Sequence, residues 1–311
     1  MKVLTVATRG GKLAIAQTEI VSSLLKRAYP DLQIEIKKVT TKGDKDKRTA
    51  LWNLKTSGFF TSQVEDALLA SEADFAVHSF KDLPTAGRKG IAVAAVCDRR
   101  FVEDCLIAAD SVDSIEQLRP SARIGTSSLR RAAQLKRLRK DLEPTSIRGN
   151  VLTRLRRLEE GKYDAIILAR AGMERLGLAE KISLCFDPRQ FIPAPAQGAL
   201  AVQTRSDNIT TNKLITTIDD KKVSTITSVE RQVLVTMRCG CHAPVGVFAE
   251  INGDNIRIYA FISNLDGENF IRREITGPAN EADKLAEQIA KDMLESGGRE
   301  ILETLQRWRE K

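Results

Sequence analysis

Two cysteines that stand one residue apart mark the stretch of the chain with the clearest chemical potential. The sequence RCGCHAPVG, residues 238–246, places Cys239 and Cys241 around a glycine and continues with His242 and Pro244. A c-type haem anchor or a thioredoxin-like pair needs two residues between its cysteines, and a zinc site needs further Cys or His ligands. Two explanations remain: a pair of small buried residues, or one thiol that carries a covalent group in a glycine-flanked loop.

A second motif brings a lysine and a carboxylate to the end of an apolar run. In FAVHSFKDLP, residues 75–84, the apolar segment passes into His78, Lys81 and Asp82 before Pro84 ends it. A carboxylate at the end of a strand can act as a general acid or base, or stabilise a developing cation. The alternative is a turn aspartate that caps a local N–H group. Taken alone, the motif slightly favours this turn.

Arginines recur in three turns that each lie between a predicted strand and a predicted helix. The turns are ATRGG at 7–11, TSSLRR at 126–131 and IRGNVLTR at 147–154. Guanidinium groups and the free N–H groups of a helix start both bind carboxylates. Each turn could also be an ordinary helix cap followed by a solvated basic face. Three such turns together indicate anion binding more strongly than any one of them.

The overall composition supports an anionic partner and argues against metal catalysis. The net charge is +8, which attracts nucleic acid, acidic membrane surfaces or small polycarboxylates. Aromatic residues are 5% of the chain, too few for the stacking platforms that bind single-stranded nucleic acid, although a duplex binder would not need them. The chain has two histidines, so we expect no metal site.

The cysteine count and the start of the sequence suggest a cytoplasmic protein. Five cysteines in a chain of 311 residues favour reduced thiols over a disulfide framework. The first residues, MKVLTVATRGG, become polar too early for a signal peptide. No segment approaches the roughly 20 apolar residues that span a bilayer. We therefore predict a cytoplasmic location without a membrane partner.

Alternating strand and helix patterns over the first two-thirds of the chain predict an α/β fold. Predicted strands cover 3–7, 33–39, 73–77, 122–125 and 165–168, and predicted helices cover 13–24, 60–68, 128–140 and 151–160. Such alternation predicts mixed, mostly parallel sheets covered by helices. The charged stretch 40–58 is predicted to be a loop that acts as a lid.

The pattern changes after about residue 220, which predicts a small α+β domain at the C-terminus. A helix at 224–237 precedes three strands at 245–251, 255–262 and 270–276, and helices at 279–294 and 299–308 follow. The Pro-rich stretch 191–202 is predicted to cross back between the two α/β blocks. The predicted domains are 1–98 with 196–218, then 103–190, then 222–311.

Seven motifs together resemble those of one enzyme family. They are ATRGGKLAIAQ, FAVHSFKDLP, IGTSSLRRAAQL, IRGNVLTRL, YDAIILARAGMERLG, PAPAQGALAV and GCHAPVG. Their order and rough spacing resemble porphobilinogen deaminases, also called hydroxymethylbilane synthases. The resemblance runs from about residue 3 to the GCHAPVG loop and continues more loosely to the C-terminus.

This resemblance implies a fold, a cofactor and a reaction. The family implies a cytosolic monomer with two domains similar to periplasmic binding proteins and a third domain that carries a dipyrromethane cofactor on one cysteine. The enzymes condense four molecules of porphobilinogen into linear hydroxymethylbilane and release ammonia, on the pathway to haem. The growing product is a polyanion, which is consistent with the arginine-bearing turns and the net charge.

The resemblance also assigns roles to individual residues. Cys241 follows Gly240 as the cofactor cysteine does in the family, so it should carry the thioether, while Cys239 is a bystander and His242 has no role. Asp82 matches the catalytic aspartate, which would bind pyrrole N–H groups and assist proton transfer. Residues that match cofactor-binding positions are Lys81, Thr126, Ser128, Arg130, Arg131 and Arg148. Residues that match substrate-binding positions are Arg9, Arg154, Arg175 and Gln197.

The chain departs from the family pattern at five positions. These are Gly11 and Lys12 in place of Ser-Pro, Ser57 in place of a lid lysine, Glu103 in place of an arginine, and Leu152 in place of a glycine. They bear on the lid contacts and on the efficiency but spare Asp82 and Cys241, so activity is still expected. The alternatives are a low-activity paralogue and a non-catalytic polyanion-binding protein.

Overall fold

The computed structural model describes residues 3–41, 43, 61–240 and 243–310, which form two compact units. The first unit takes in the described residues up to 43 together with 61–100 and 197–225. The second takes in residues 101–196, 226–240 and 243–310. The predicted lid at 40–58 therefore lies almost wholly outside the described residues, as do Cys241 and His242.

The first unit is built on a five-stranded sheet with helices on both faces. Its elements are β1 (Val3–Arg9), α1 (Lys12–Ala28), β2 (Gln33–Val39), α2 (Ser62–Leu69), β3 (Phe75–Ser79) and β4 (Ile91–Cys97). After the chain returns from the second unit, β10 (Leu200–Arg205) and α6 (Ile209–Ile215) complete it. The strand order is β2-β1-β3-β10-β4.

Alternating apolar residues in these strands supply two separate cores. One face of the sheet, with Phe75 and Val77 of β3, packs with Val21 and Leu25 of α1, which lie one helical turn apart. On the other face, Ala76 packs with the buried side chains of α2. Strands that are buried on both faces need apolar side chains at consecutive positions, as β3 has.

The second unit contains a five-stranded sheet of the same design. Its elements are β5 (Asp104–Ala108), β6 (Arg123–Gly125), α3 (Leu129–Leu138), β7 (Glu143–Thr145), α4 (Val151–Glu159), β8 (Ala165–Ala169), α5 (Arg170–Arg175) and β9 (Leu184–Cys185). The strand order is β7-β6-β8-β5-β9. Apolar clusters cover both of its faces.

Each of these sheets has one reversed strand, in the fourth position. In the first sheet β10 pairs antiparallel with both β3 and β4, so the other four strands share one direction. In the second sheet β5 pairs antiparallel with both β8 and β9 in the same way. The prediction of mixed, mostly parallel sheets is confirmed. Each reversed strand is the first strand after the chain has passed from one unit to the other.

The C-terminal region has its own antiparallel sheet and its own core, which confirms the predicted small α+β domain. Helix α7 (Lys221–Thr236) precedes β11 (Val245–Asn252), β12 (Asn255–Ser263) and β13 (Phe270–Pro278), which pair in that order. Helices α8 (Ala282–Met293) and α9 (Arg299–Glu310) follow. The three-domain boundaries remain a prediction, since this region and the second five-stranded sheet share one compact unit.

Buried side chains fix the Pro-rich stretch that leads out of the second unit. The Gln134 side chain accepts a hydrogen bond from the Ile192 N–H at 2.7 Å and donates one to its carbonyl oxygen at 3.1 Å. The buried carboxylate of Glu230 accepts from the backbone N–H of Ala196 and from that of Ala249, each at 2.7 Å. Ala196 has a positive φ of 61°, and Glu230 compensates part of the cost of this conformation by binding its amide.

Several elements differ from the sequence prediction in their limits. The predicted helix at 128–140 ends at Leu138, and the helix predicted to start at 224 starts at Lys221. Helix α8 starts at Ala282, after a single 3₁₀ turn at Ala279–Glu281. Within the described ranges, no helix combines the length and the apolar content that crossing a membrane requires.

Candidate functional site

In the first unit, the FAVHSFKDLP motif forms strand β3 and the turn that follows its C-terminal end. The strand ends at Ser79 and a single 3₁₀ turn, Phe80–Asp82, follows. The Lys81 Nζ donates to the Oε1 of Gln197 at 3.0 Å, and the carbonyl oxygen of Gln197 accepts from the Arg99 Nε at 3.3 Å. The structure thus brings together Lys81 and Gln197, which lie far apart in sequence. Gln197 is completely buried.

Asp82 lies beside this pair with an exposed side chain. Among the residues that the structure describes, none donates a hydrogen bond to its carboxylate or forms an ion pair with it. The local N–H cap that the sequence allowed as an alternative is therefore not formed. An exposed carboxylate that keeps its acceptor sites open is suited to bind N–H groups of a ligand.

Three buried polar side chains, those of His78, Gln203 and Glu65, form a cluster that is close enough to Arg9 for its charge to act on His78. His78 is buried, and this burial lowers its pKa to about 4; the positive charge of Arg9 acts in the same direction, and a hydrogen bond with Gln203 opposes both. The Gln203 Nε2 donates to the Oε1 of Glu65 at 3.0 Å, and Glu65 is buried as well. Because its pKa is so low, the His78 ring is neutral at pH 7.

In the second unit, the turn after β6 caps helix α3 as the sequence predicted. The Ser128 Oγ accepts from the Arg131 N–H at 3.4 Å, and the Thr126 Oγ1 accepts from the Ser128 N–H at 3.2 Å. The Ser127 Oγ donates to the Ile147 carbonyl oxygen and accepts from its N–H. Ser127 thereby ties this turn to the one that contains Arg148.

Arg130 and Arg131, at the start of α3, share one buried carboxylate. Asp104, the first residue of β5, is 0% exposed; its Oδ2 lies 2.7 Å from an Nη2 of Arg130 and its Oδ1 lies 2.7 Å from the Nη2 of Arg131. The Arg131 Nε also donates to Oδ1 at 3.1 Å. Each guanidinium further donates to a backbone carbonyl, Arg130 to Ile192 at 2.7 Å and Arg131 to Ile167 at 3.0 Å.

This arrangement leaves one net positive charge in a buried setting. Burial lowers the pKa of Arg130, while the Asp104 carboxylate raises it. An isolated buried guanidinium would be very unfavourable, and the carboxylate and the carbonyl oxygens replace its lost hydration. The two arginines therefore act as one rigid cationic group rather than as two free side chains.

The turn before α4 holds the third arginine site. Gly149 has a φ of 105°, and a Cβ there would lie 2.6 Å from the Thr153 side chain, so glycine is required. The Arg154 Nε donates to the Gly149 carbonyl oxygen at 2.9 Å, which ties the Arg154 side chain to this turn. The Asn150 Oδ1 caps the helix by accepting from the Thr153 N–H at 2.9 Å.

The remaining predicted residues are two arginines at the ends of elements and the two cysteines of the RCGCHAPVG motif. Arg175 ends helix α5, and Arg9 ends strand β1. Cys241 lies outside the described residues, so its attachment remains a prediction. Cys239 is buried in the core of the C-terminal region. Among residues 3–41, 61–240 and 243–310, no cluster of three or more His, Cys, Asp or Glu side chains could hold a metal ion.

Asp104 is the site residue that sequence reasoning missed. In the sequence, Asp104 directly precedes the apolar run CLIAA. The same pattern is typical of a strand that begins at an exposed aspartate. The partners of Asp104 are 26 and 27 residues further along the chain by number, and only the strand order places them together. The departure Glu103, in contrast, binds Arg170 at 3.7 Å and so forms a local ion pair.

Another departure, Gly11, has a local structural effect. Gly11 is the N-cap residue of α1, in an extended conformation, and makes no side-chain cap hydrogen bond. A serine at this position could accept one from the first turn. The helix start beside Arg9 therefore lacks one stabilising interaction, and Lys12 adds a positive charge there.

Comparison with known proteins gives matches to one enzyme family. A family model described as "Porphobilinogen deaminase, dipyromethane cofactor binding domain" matches residues 4–213, and one described as "Porphobilinogen deaminase, C-terminal domain" matches residues 223–295. Relatives named porphobilinogen deaminase come from Maridesulfovibrio salexigens (37% identical, 97% of this chain and 98% of the relative) and Thermus thermophilus (39% identical, 97% and 99%).

The relative from Stenotrophomonas maltophilia is 39% identical over 97% of this chain and 99% of its own length. Among solved structures, the methionine-binding protein MetQ matches with a TM-score of 0.45 and 11% identity, over 74% of this chain and 94% of that one.

The fold is that of an α/β protein whose strand-end turns carry cationic groups, Lys81 in the first unit and Arg130 and Arg131 in the second. The matches over nearly the whole length are more specific. The chain belongs to the porphobilinogen deaminase family.

The residues that are present fit a cofactor with carboxylate side arms. Guanidinium groups, the Lys81 ammonium and the hydroxyls of Thr126 and Ser128 are all suited to carboxylate oxygens. The N-terminus of α3 adds backbone N–H groups and a favourable dipole. A dipyrromethane group is named in the description of the matching domain, and these donor types are suited to its carboxylate side arms.

Asp104→Asn should destabilise the protein markedly. The change keeps the size of the side chain but removes the negative charge between two buried guanidinium groups, so we expect a loss of about 3 kcal/mol in the free energy of unfolding. Urea denaturation measures this loss. Asp113→Asn, at an exposed position, is the matched control and should leave the stability unchanged. Equal stability of the two variants would contradict the role of Asp104.

His78 should titrate far below an ordinary histidine. Because its folded pKa of about 4 lies below the value of 6.5 for an exposed ring, the unfolded chain binds more protons between these pH values. The His78 contribution to stability is therefore complete above pH 6.5 and falls by roughly 3 kcal/mol towards pH 4.

Proton NMR of the two imidazole rings checks this expectation, with His78→Gln to assign the signals. The variant should also lose the part of the pH dependence of stability that this ring causes. A His78 ring that titrates near pH 6.5 would show that it is not buried in solution.

Proposed function

We propose that this chain condenses four molecules of porphobilinogen head to tail into hydroxymethylbilane and releases ammonia, as a hydroxymethylbilane synthase of tetrapyrrole biosynthesis. The observation that carries this proposal is the family match over residues 4–213 and 223–295. The relatives that match 97–98% of the chain are named porphobilinogen deaminase. Asp82 and Cys241 stand at the family's two key positions.

The proposed cofactor is a dipyrromethane joined to the Cys241 sulfur by a thioether bond. The description of the matching N-terminal domain and the sequence around Gly240 and Pro244 support this assignment. When bound, the cofactor supplies the free pyrrole α-carbon to which the first substrate molecule is joined. The burial of Cys239 within an apolar core supports Cys241 rather than Cys239 as the anchor.

Asp82 acts on the pyrrole rings. Its exposed carboxylate accepts hydrogen bonds from pyrrole N–H groups and stabilises the positive charge that develops on a ring during bond formation. It then assists the removal of the proton from the carbon that has formed the new bond. The open acceptor sites of the carboxylate support this role, because a paired or capped aspartate would first have to give up its partner.

The basic residues hold the acidic side arms. Arg130 and Arg131, fixed by Asp104, form a rigid cationic group that does not have to be ordered when a ligand binds, which reduces the entropic cost of binding. The Lys81 ammonium is oriented by Gln197. The other residues proposed to bind cofactor or substrate carboxylates are Arg9, Thr126, Ser128, Arg148, Arg154 and Arg175.

The finer description of the protein is also part of this proposal. The chain works as a monomer in the cytoplasm, with the three domains predicted from the sequence. The odd number of cysteines supports a reducing compartment. Its partner is the small molecule porphobilinogen, with no nucleic-acid or membrane partner.

The mass of the intact protein tests the cofactor assignment. The native protein should exceed the mass of its sequence by one dipyrromethane unit, and Cys241→Ser should abolish the excess because it removes the sulfur nucleophile. Cys239→Ser is the matched control and should keep the added mass. A native mass equal to that of the bare chain, even after incubation with porphobilinogen, would refute the assignment.

Asp82→Asn should stop catalysis while the fold and the cofactor are retained. The amide has the same size but cannot stabilise a cation, so hydroxymethylbilane formation should fall by a factor of about 100 or more. Asp110→Asn, at another exposed position, is the control and should keep the rate. A variant at residue 82 with normal turnover would disprove the catalytic role. A slow rate in the unaltered protein would instead identify a low-activity member of the family.

A further inference from the structure

Two cysteines that the reaction does not use face each other in the second sheet. In the antiparallel pairing of β5 and β9, Cys105 is directly opposite Cys185, and Leu106 is opposite Leu184. Directly opposite residues point to the same face of a sheet. Both sulfurs are free thiols.

The neighbouring hydrogen bonds show whether Cys105 and Cys185 are a hydrogen-bonded or a non-hydrogen-bonded pair of the antiparallel ladder. The Phe186 N–H donates to the Asp104 carbonyl oxygen at 3.0 Å, which makes residues 104 and 186 the hydrogen-bonded pair. The next pair along the ladder, Cys105 and Cys185, is then a non-hydrogen-bonded pair. In such a pair the Cα atoms are about 4.5 Å apart, at the short end of the range that a disulfide spans.

The two thiols differ in their access to solvent. Cys105 is completely buried, in the apolar cluster that also contains Ile107 and Met173. Cys185 is exposed and lines an open cleft with Phe186 and Glu250. A small reagent can therefore reach the Cys185 sulfur directly. The buried Cys105 sulfur is accessible to the Cys185 side chain opposite it.

The surroundings keep both groups protonated at neutral pH. Burial raises the pKa of Cys105, with a smaller contribution from Asp104, and Cys185 adds to this effect. Burial also raises the pKa of Cys185, and the positive charge of Arg170 opposes the increase. A protonated thiol reacts slowly, so the pair stays reduced unless an oxidant persists.

We propose that Cys105 and Cys185 form a reversible dithiol–disulfide site that small hydroperoxides oxidise. The proposal is independent of the transferase activity. The juxtaposition that supports it is a buried and an exposed cysteine in one non-hydrogen-bonded cross-strand pair.

The oxidation takes two steps, in which the peroxide gains the two electrons that the thiols lose. The Cys185 thiolate attacks one peroxide oxygen, the O–O bond breaks, and the products are a sulfenic acid and the alcohol ROH. The Cys105 sulfur then attacks the Cys185 sulfur, the S–S bond forms, and the OH group leaves with the Cys105 proton as water. A dithiol reductant reverses the reaction by thiol–disulfide exchange.

The site lies next to the central ion pair of the second unit. Asp104, which holds Arg130 and Arg131, immediately precedes Cys105 on β5. Strand β9 is a two-residue edge strand, and the disulfide would attach it covalently to β5. A disulfide at the short end of the usual range is strained and easily reduced, which fits a reversible site rather than a permanent crosslink.

Oxidation of the full-length protein with an excess of hydrogen peroxide tests the proposal. Arg99, Arg100 and Lys181 separate Cys97, Cys105 and Cys185 on different tryptic peptides. Mapping without reductant should find the Cys105 and Cys185 peptides joined, with the mass lowered by two hydrogen atoms, and dithiothreitol should restore both peptides.

The variants make the outcome specific. Cys185→Ser, at an exposed position that should not disturb folding, should abolish the joined peptide, whereas Cys97→Ser should keep it. A Cys185 that is oxidised to sulfinic acid while Cys105 stays a thiol would overturn the proposal. Crosslinking of Cys185 to a second copy of the chain or to another cysteine would overturn it as well.

Discussion

The buried ion pair network around Asp104 is the interaction on which the rest of the second unit depends. One carboxylate that is closed to solvent pairs with two guanidinium groups, and each guanidinium also donates a hydrogen bond to a backbone carbonyl. Removing charges from water is costly, so such a group persists only where its geometry is complete. Because Arg130 also binds Ile192, the same network holds the stretch that leads out of the unit. The residues proposed to bind the ligand therefore also stabilise the path of the chain.

Two aspartates of the chain lie in opposite environments. Asp104 is enclosed and fully paired, so it positions other groups. Asp82 is exposed at the end of a short turn, with acceptor sites that a ligand can use. The proposed reaction requires both environments, because a polyanionic product needs fixed cations and a reacting pyrrole needs an accessible carboxylate.

The strand order explains why residues from distant parts of the sequence meet. Each five-stranded sheet contains one reversed strand, which is the first strand after the chain passes from one unit to the other. In the second sheet the reversed strand β5 contributes Asp104 to one face and Cys105 to the other. A structural ion pair and a candidate redox site thus occupy neighbouring residues because side chains alternate along a strand.

The sequence by itself determined the features that depend on local patterns. Its periodicity predicted β2, α4 and the strands of the C-terminal sheet to within about one or two residues, and the turn residues placed arginines at the strand ends. The resemblance pointed to Asp82 and Cys241. The tertiary structure decided the partner of Arg130 and Arg131, the burial of His78 and the pairing of Cys105 with Cys185. These depend on which strands become neighbours, and that choice is made by packing energy summed over the whole sheet, which no short segment contains.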